Sequence, residues 1–300
     1  MRLAFANTIT ELAEKNDRII FLTADLGFQL FDEFVTRFGP RYINVGVAEA
    51  QMVLAAAGLA HEGWRPLTYS IASFATARCF EQIKISVAYP RLPVILVGAG
   101  GGFAYGSSGV THHSAEDMAL LGSLPGMTVV APGDAGEVRQ LLPQLLQLNS
   151  PAYLRVGRGR EPAIEAPEPA VLGKARLLRD GEDFAILSTG DMASEALKAI
   201  DLLKERNIHP MAYQFHTVKP LDTAALEAIS SKVRKIVVVE EHVPAGGLSS
   251  AVGGWLVRQP RHPELVSLTA PDRFVLGSPR QQEIRAGHHF NFQAIVDAFA

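Results

Sequence analysis

The sequence predicts an α/β protein made of two open, mostly parallel sheets in tandem. Three observations carry that expectation. A chain of 300 residues accommodates about two domains at ~150 residues each. Continuous apolar runs of strand length alternate with longer segments of helical spacing, and the alternation occurs twice. Between the two rounds lies EPAIEAPEPAVLG (161–173), whose Pro162, Pro167 and Pro169 and lack of periodicity mark a linker.

In the first round, Leu3, Ala6, Ile9, Leu12 and Ala13 share one face of a helix over 3–16, which Asn16-Asp17 ends. RIIFLTAD (18–25) is apolar almost throughout, as a strand buried on both faces requires. FQLFDEFVTRFG (28–39) reads as a helix stopped by Gly39-Pro40. In RYINVGVAEAQMVLAAAG (41–58) a short strand or turn ends near Gly46 and a tightly packed helix begins. PLTYSI (66–71) reads as a strand and FATARCFEQIKISVAY (74–89) as a helix stopped by Pro90. LPVILVGAGGG (92–102) runs from a strand into a glycine-rich loop. AEDMALLGSLP (115–125) is a short helix, MTVVAP (127–132) a strand, AGEVRQLLPQLLQLN (135–149) a helix carrying Pro143, and PAYLRVGRGREP (151–162) a strand.

In the second round FAILSTG (184–190), MAYQFH (211–216), KIVVVEEH (235–242) and LVSLTA (265–270) read as strands. MASEALKAIDLLKERN (192–207), TAALEAISSK (223–232), GGLSSAVGGWLVRQ (246–259) and FNFQAIVDAFA (290–300) read as helices.

Composition excludes several classes. With 48% hydrophobic and 20% charged residues, the chain has the material for a sizeable core and is not disordered. A formal net charge of −3 offers no electrostatic ground for binding nucleic acid or an anionic membrane. The single cysteine, Cys79, excludes an internal disulfide and a multi-cysteine metal site. The opening MRLAFANTITELAEKND is amphipathic rather than a signal peptide. No run nears the ~18 apolar residues of a membrane span, so a cytoplasmic location is expected.

Glu49 is the lone acid among Val45, Val47, Ala48, Ala50, Met52, Val53 and Leu54. A solvated helix face carries several charges, which makes Glu49 a candidate proton handler. An ordinary first-turn acid that favours the helix dipole accounts for the same spacing. The segment GAGGGFAYGSSGVTHH (98–113) contains no GxGxxG and the chain no GxxxxGK[ST], so dinucleotide and P-loop readings fail on residues. What remains is a loop after a strand, the usual ligand position in an open α/β sheet, or a plain surface loop. His112 and His113 are adjacent and are expected to point apart, which disfavours a metal pair. Either imidazole can donate a proton or meet an anion, while Ser114 and Asp117 can cap the helix that follows. Arg155, Arg158 and Arg160 recur along one predicted strand and are expected to share a face suited to phosphate or carboxylate. Phe74 stands among small residues as core or as a platform for a ring.

Taken together, TADL (23–26), RYINVGVAEAQM (41–52), SFATARCFEQIKISVAYPRLPV (73–94), GVTHHSAEDMALL (109–121), PAYLRVGR (151–158), HTVKPLD (216–222) and VVVEEH…GGLSSAV (237–252) form an ordered set. Over nearly its whole length the chain resembles the C-terminal half of transketolase, in the form encoded as a separate subunit. The resemblance implies a pyrimidine-binding transketolase domain over 1–162, a linker over 163–172 and a transketolase C-terminal domain over 173–300. It also implies a thiamine diphosphate enzyme that moves a two-carbon ketol unit from a ketose to an aldehyde. By this resemblance Glu49 meets N1′ of the aminopyrimidine, Phe74 stacks on that ring, and Asp25 lies near the thiazolium. His112 contacts substrate oxygens and assists proton transfer, and Arg158 holds the acceptor phosphate with Arg2 as a second arginine. Arg78 is assigned a helix-packing role or a place behind the site.

Four positions depart from the family's pattern. Ile71 stands where a second Phe is usual in the pyrimidine pocket, and Gly100 stands where a histidine meets substrate phosphate. Ser107 and Ser108 replace an acidic pair that reads a sugar hydroxyl. Losing a charge-assisted contact is worth roughly 1.5–3 kcal/mol, enough to alter substrate preference towards a non-standard sugar or aldehyde. The family's clamp for metal and diphosphate, a GDG…N motif in its N-terminal half, has no counterpart here. The resemblance therefore implies a separate N-terminal-half subunit that binds the diphosphate with Mg2+ or Ca2+, a chain inactive alone, and an α2β2 heterotetramer. Two alternatives stay open: a thiamine enzyme like deoxyxylulose-phosphate synthase or the beta chain of a 2-oxoacid dehydrogenase, and a non-catalytic interaction subunit. Residues 173–300 show no catalytic constellation and are assigned to dimer contacts and scaffolding.

Overall fold

The computed structural model describes residues 1–159 and 161–299. Its first part comprises α1 (Arg2–Lys15), β1 (Ile19–Thr23), α2 (Asp32–Phe38), β2 (Tyr42–Asn44), α3 (Glu49–His61), β3 (Arg65–Ile71), α4 (Ala72–Ala75), α5 (Phe80–Gln82), β4 (Ile95–Ala99), α6 (Asp117–Gly122), β5 (Thr128–Val130), α7 (Ala135–Leu145) and β6 (Ala152–Val156). The second part comprises β7 (Arg176–Arg179), β8 (Asp183–Ser188), α8 (Met192–Glu205), β9 (Met211–Gln214), β10 (Thr217–Lys219), α9 (Thr223–Ser230), β11 (Val233–Val239), α10 (Leu248–Leu256), β12 (Glu264–Leu268), α11 (Gln281–Gly287) and α12 (Phe292–Asp297).

The strands form a seven-stranded sheet, β10-β5-β6-β4-β3-β1-β2, and a five-stranded sheet, β12-β11-β8-β9-β7. Pairing is parallel except where β10 meets β5 and β7 meets β9. β1, β4 and β6 are buried at every position, because helices cover both faces of the sheet. Phe5 and Ile9 of α1 and Leu141 of α7 pack with Phe21, Tyr69 and Leu154 on one side. Met52 and Val53 of α3 pack with Ile83, Val87, Leu22 and Leu96 on the other.

Four features differ from the sequence expectation. The helix expected over 74–89 is broken into α4, a 3₁₀ turn at Ala77–Cys79, α5 and a π-helical segment at Ile83–Ala88. Thr76 Oγ1 donates to the Ala72 carbonyl at 2.7 Å and Cys79 Sγ to the Ala75 carbonyl at 3.2 Å. Side chains thus compete with backbone N–H groups for helix carbonyls. The last strand of the first round ends at Val156, so Arg158 lies beyond it, and Arg160 lies outside the described residues. β10, whose residues follow the linker, completes the edge of the first sheet, so the sheet boundary does not follow the chain. β7 and α11 were not expected, since RLLR and QQEIRAG carry no apolar period.

The proline-rich segment is strapped down. Ile164 N–H donates to Asp134 Oδ2 at 2.7 Å, Ala170 N–H to Gln140 Oε1 at 2.6 Å and Leu172 N–H to Gln144 Oε1 at 2.8 Å. Side chains of α7 and its N-cap supply the acceptors that a strandless backbone lacks.

His216 and His242 are fully buried, and burial first, with a nearby arginine second in its lowering effect, pushes each imidazole down to about 4. Both are neutral in the folded chain and titrate near 6.5 when unfolded. Their contribution to stability is therefore complete above pH 6.5 and is lost as pH falls towards 4. The unfolding free energy is expected to fall between pH 7 and 5.5, by at most about 1.4 kcal/mol per pH unit for each imidazole, offset in part by Glu240, whose acid burial raises to about 7. Replacing His216 and His242 by Asn is expected to remove the imidazole part of that fall, and a pH profile unchanged by both substitutions contradicts the assignment.

Candidate active site

The site forms at the carboxyl ends of the central strands, where an open parallel sheet leaves backbone ends uncovered. Glu49 is the first residue of α3 and is only 3% exposed. Its Oε1 accepts from Ser70 Oγ, at the end of β3, at 3.4 Å. Its Oε2 accepts from an Arg78 guanidinium nitrogen at 2.8 Å. The Arg78 guanidinium carbon lies 4.1 Å from the centroid of the Phe74 ring. Ile71, buried, closes β3 beside Ser70.

His112 approaches Phe74 at 5.2 Å between centroids with the planes 62° apart. Thr111 Oγ1 holds His112 Nδ1 at 2.9 Å, and Ser73 Oγ donates to the Thr111 carbonyl at 3.3 Å. The His112 ring is also 6.0 Å from Tyr105, and Arg158 lies over the Tyr105 ring at 4.3 Å. Arg2 Nε donates to the Arg158 carbonyl at 3.1 Å. An arc results, from a buried carboxylate through Phe74, His112 and Tyr105 to two guanidiniums. Ser107 and Ser108 are exposed on the turn after Tyr105, with Ser108 N–H bonded to the Tyr105 carbonyl at 2.8 Å.

The arc gathers Glu49, Ile71, Phe74, His112, Ser108, Arg158 and Arg2. Asp25 stands apart at the carboxyl end of β1, exposed and with φ 51°. Its N–H donates to Asn44 Oδ1 at 3.0 Å. Among the described residues it makes no hydrogen bond or ion pair with a member of the arc. The two histidines do point apart. His113 is buried, with Nε2 3.1 Å from the Gly106 carbonyl and its ring against Phe103.

Several expectations are corrected. Arg155 and Arg158 do not share a face, because a spacing of three is odd and the strand ends between them. Arg155 is buried, pairs with Asp117 at 3.2 Å and donates to the Glu241 carbonyl at 2.9 Å. The Ser114–Asp117 capping box does not form. Asp117 instead accepts from Tyr153 Oη at 2.6 Å and faces Arg155. Arg78 touches Glu49 and Phe74 directly, where the sequence placed it behind them.

The glycines of the loop are explained by close approach. At Gly100, with φ +69°, an added Cβ would collide with the Tyr105 ring, so an aromatic fills the room that a side chain there would need. At Gly101 it would meet Arg155, and at Gly102 Glu241. Glu241 was missed by sequence reasoning. Its Oε1 accepts from Phe103 N–H at 2.7 Å and from Gln281 at 2.8 Å, and its Oε2 accepts from Arg285. Arg285 also donates to Asp191 at 2.7 Å. The loop after β11, with α11 behind it, thus grips the loop that carries Tyr105 and His112, and no local pattern links positions 103, 191, 241 and 285.

A buried carboxylate beside an aromatic face suits a flat heteroaromatic ring with nitrogens on its edge. The far end of the arc suits an anionic group. Among the described residues no three His, Cys, Asp or Glu side chains are placed to hold a metal ion. Among the described residues no helix is long and apolar enough to cross a membrane.

Comparison with known proteins places the fold in a family. Residues 1–162 match the family described as transketolase, pyrimidine binding domain, and residues 173–290 match the transketolase C-terminal domain. The chain is 34% identical to one of the subunits of the apulose-4-phosphate transketolase of Phocaeicola vulgatus, covering 92% of this chain and 88% of that one. It is 40% identical to a 6-deoxy-6-sulfo-D-fructose transketolase subunit of Clostridium sp. strain MSTE9, covering 84% and 79% respectively. A structure described as a split gene transketolase, inactive beta4 tetramer, superposes with TM-score 0.91 and 31% identity, covering 99% of this chain and 96% of that one. With both domains matched in order, the chain belongs to the transketolase family and is similar, nearly end to end, to its separately encoded subunits.

Proposed function

We propose that this chain is the pyrimidine-end subunit of a split thiamine diphosphate-dependent transferase that moves a ketol unit between sugars outside the ordinary pentose phosphates. The observation that carries the reading is Glu49, buried at a helix start and linked through Arg78 to the Phe74 ring against which His112 packs. When bound, the cofactor supplies the carbanion chemistry that breaks and remakes the bond beside the ketose carbonyl. Glu49 holds the ring at N1′ and exchanges a proton there, while Phe74 and Ile71 bound the ring. His112, with Nδ1 engaged by Thr111, presents its other nitrogen to substrate oxygens as acid or base. Arg158 and Arg2 receive the anionic end of the substrate, and Ser108 offers a neutral hydroxyl where the family reads a sugar hydroxyl with an acid. Asp25 is assigned to the thiazolium side. The domains are taken as 1–162 and 173–300 with the linker between.

The diphosphate and its Mg2+ or Ca2+ are assigned to an N-terminal-half subunit, the whole forming an α2β2 assembly in the cytoplasm. The outward face of α3 and its surroundings supports a partner. Val47, Leu54, Ile85 and Tyr89 are 76%, 43%, 56% and 85% exposed, and from Ala50 to Ala60 α3 carries no charge. The relatives' names support a sugar bearing an anionic group, and the neighbour described as an inactive β4 tetramer supports inactivity of this half alone.

Mixing the chain with the diphosphate-binding subunit, thiamine diphosphate and magnesium is expected to give ketol transfer only in the mixture. Turnover by this chain with cofactor and magnesium alone would refute the split-site reading. Xylulose 5-phosphate with ribose 5-phosphate is expected to be a poor pair, and turnover at ordinary transketolase efficiency would remove the non-standard-sugar reading.

A further inference from the structure

We propose that Arg78 sits in the pyrimidine seat and must be displaced before the cofactor ring can enter. The inference rests on the reading of Glu49 and Phe74 as that seat.

An aminopyrimidine is flat and presents edge nitrogens to a carboxylate. The Arg78 guanidinium is also flat. It lies 4.1 Å from the Phe74 ring centroid and donates to Glu49 Oε2 at 2.8 Å. It therefore makes the two contacts that the ring is assigned, stacking on the same aromatic and bonding the same carboxylate. His112 takes another approach to Phe74, at 5.2 Å and 62°, and Ser73 ties its loop to α4. With that approach taken, guanidinium and pyrimidine compete for the face that Arg78 covers.

The local backbone permits the exchange. Arg78 lies on the 3₁₀ turn at Ala77–Cys79, between the end of α4 and α5. Cys79 anchors that turn through Sγ contacts to the Phe74 and Ala75 carbonyls, 3.4 and 3.2 Å away. The Arg78 side chain is itself 46% exposed and can swing into solvent without unpacking the core. Its position also answers an electrostatic need. Besides Arg78, the buried Glu49 carboxylate has one polar partner among the described residues, Ser70 at a long 3.4 Å. The guanidinium neutralises it until a ring nitrogen takes over. Cofactor binding is then an exchange, and only the difference between the two occupants appears as affinity.

The test is titration of thiamine diphosphate with magnesium into the reconstituted two-subunit complex, followed by calorimetry. Arg78→Met is expected to lower the cofactor Kd about tenfold, the sum of one exposed cation–π contact and one partly exposed ion pair. Arg78→Lys, which keeps the charge but not the flat stack, is expected to lie between Met and wild type. Glu49→Ala is expected to raise Kd. If Arg78→Met binds with unchanged or weaker affinity while Glu49→Ala weakens binding, the seat is right and the competition is wrong. If Glu49→Ala binds as wild type does, the assignment of the pyrimidine seat itself has failed.

Discussion

Replacing Glu49 by glutamine in the reconstituted complex is expected to lower kcat by roughly 10²–10⁴-fold, the usual worth of a positioned acid–base group. The substitution keeps the shape of the side chain and the hydrogen bond to Ser70. What it removes is a carboxyl that can take up and release a proton at the ring. Turnover should therefore fall far more than stability or cofactor affinity.

The competing account of Glu49 is an acid placed to favour the dipole of α3. On that account glutamine costs about 0.3–1 kcal/mol of stability and leaves turnover alone. Measuring kcat and the urea midpoint of the same preparation separates the two. Unchanged turnover would point to a subunit that kept the fold without the chemistry.

Glu49 was legible because a lone acid in an apolar run is a local anomaly. The strands of the first sheet were legible for a similar reason, since burial on both faces leaves unbroken apolar runs such as Ile19–Thr23 and Ile95–Ala99. What escaped was set by tertiary contact. Arg78 looked like one more helix residue. Its role depends on a helix break and on an acid 29 positions earlier. The glycines at 100–102 looked like the start of a nucleotide loop and failed the spacing. Their cause is the room taken by Tyr105, Arg155 and Glu241, the last of which lies just beyond β11 of the other sheet. Thr217–Lys219 joins the first sheet although its residues follow the linker, and three residues carry no period by which to assign them. The arginines after Tyr153 were legible as a cluster but not as two separate devices, one buried on Asp117 and one exposed on Tyr105.

Arg285→Met is expected to destabilise the chain by roughly 3–5 kcal/mol, because removing one member of a buried ion network leaves its partners uncompensated. Arg285 is 1% exposed and bridges Glu241 and Asp191. Burial works to raise the Asp191 acid, but the Arg285 charge and hydrogen bond outweigh it and hold the carboxyl below its usual range. Without Arg285, burial acts on Glu241 and on the quarter-exposed Asp191 with only Arg155 as a neighbouring cation. Arg285→Lys should fall between wild type and Met, since one ammonium cannot repeat the fork that reaches both acids. The loss should also reach the arc. Glu241 holds the Phe103 N–H at 2.7 Å, two residues before Tyr105, so a freed Glu241 loosens the loop that places Tyr105, Ser108 and His112. Urea unfolding reports the first effect. Limited proteolysis of residues 98–113 at a temperature where the variant remains folded reports the second. A Met variant within about 1 kcal/mol of wild type would place the pair among those that contribute little, as exposed ion pairs do. A Met variant that is destabilised yet keeps its loop protected would limit the network to holding the two sheets together. Adding Glu241→Gln to Arg285→Met should recover part of the loss, because it removes one of the stranded charges. Such recovery distinguishes an uncompensated carboxylate from a packing defect, which a second substitution would only deepen.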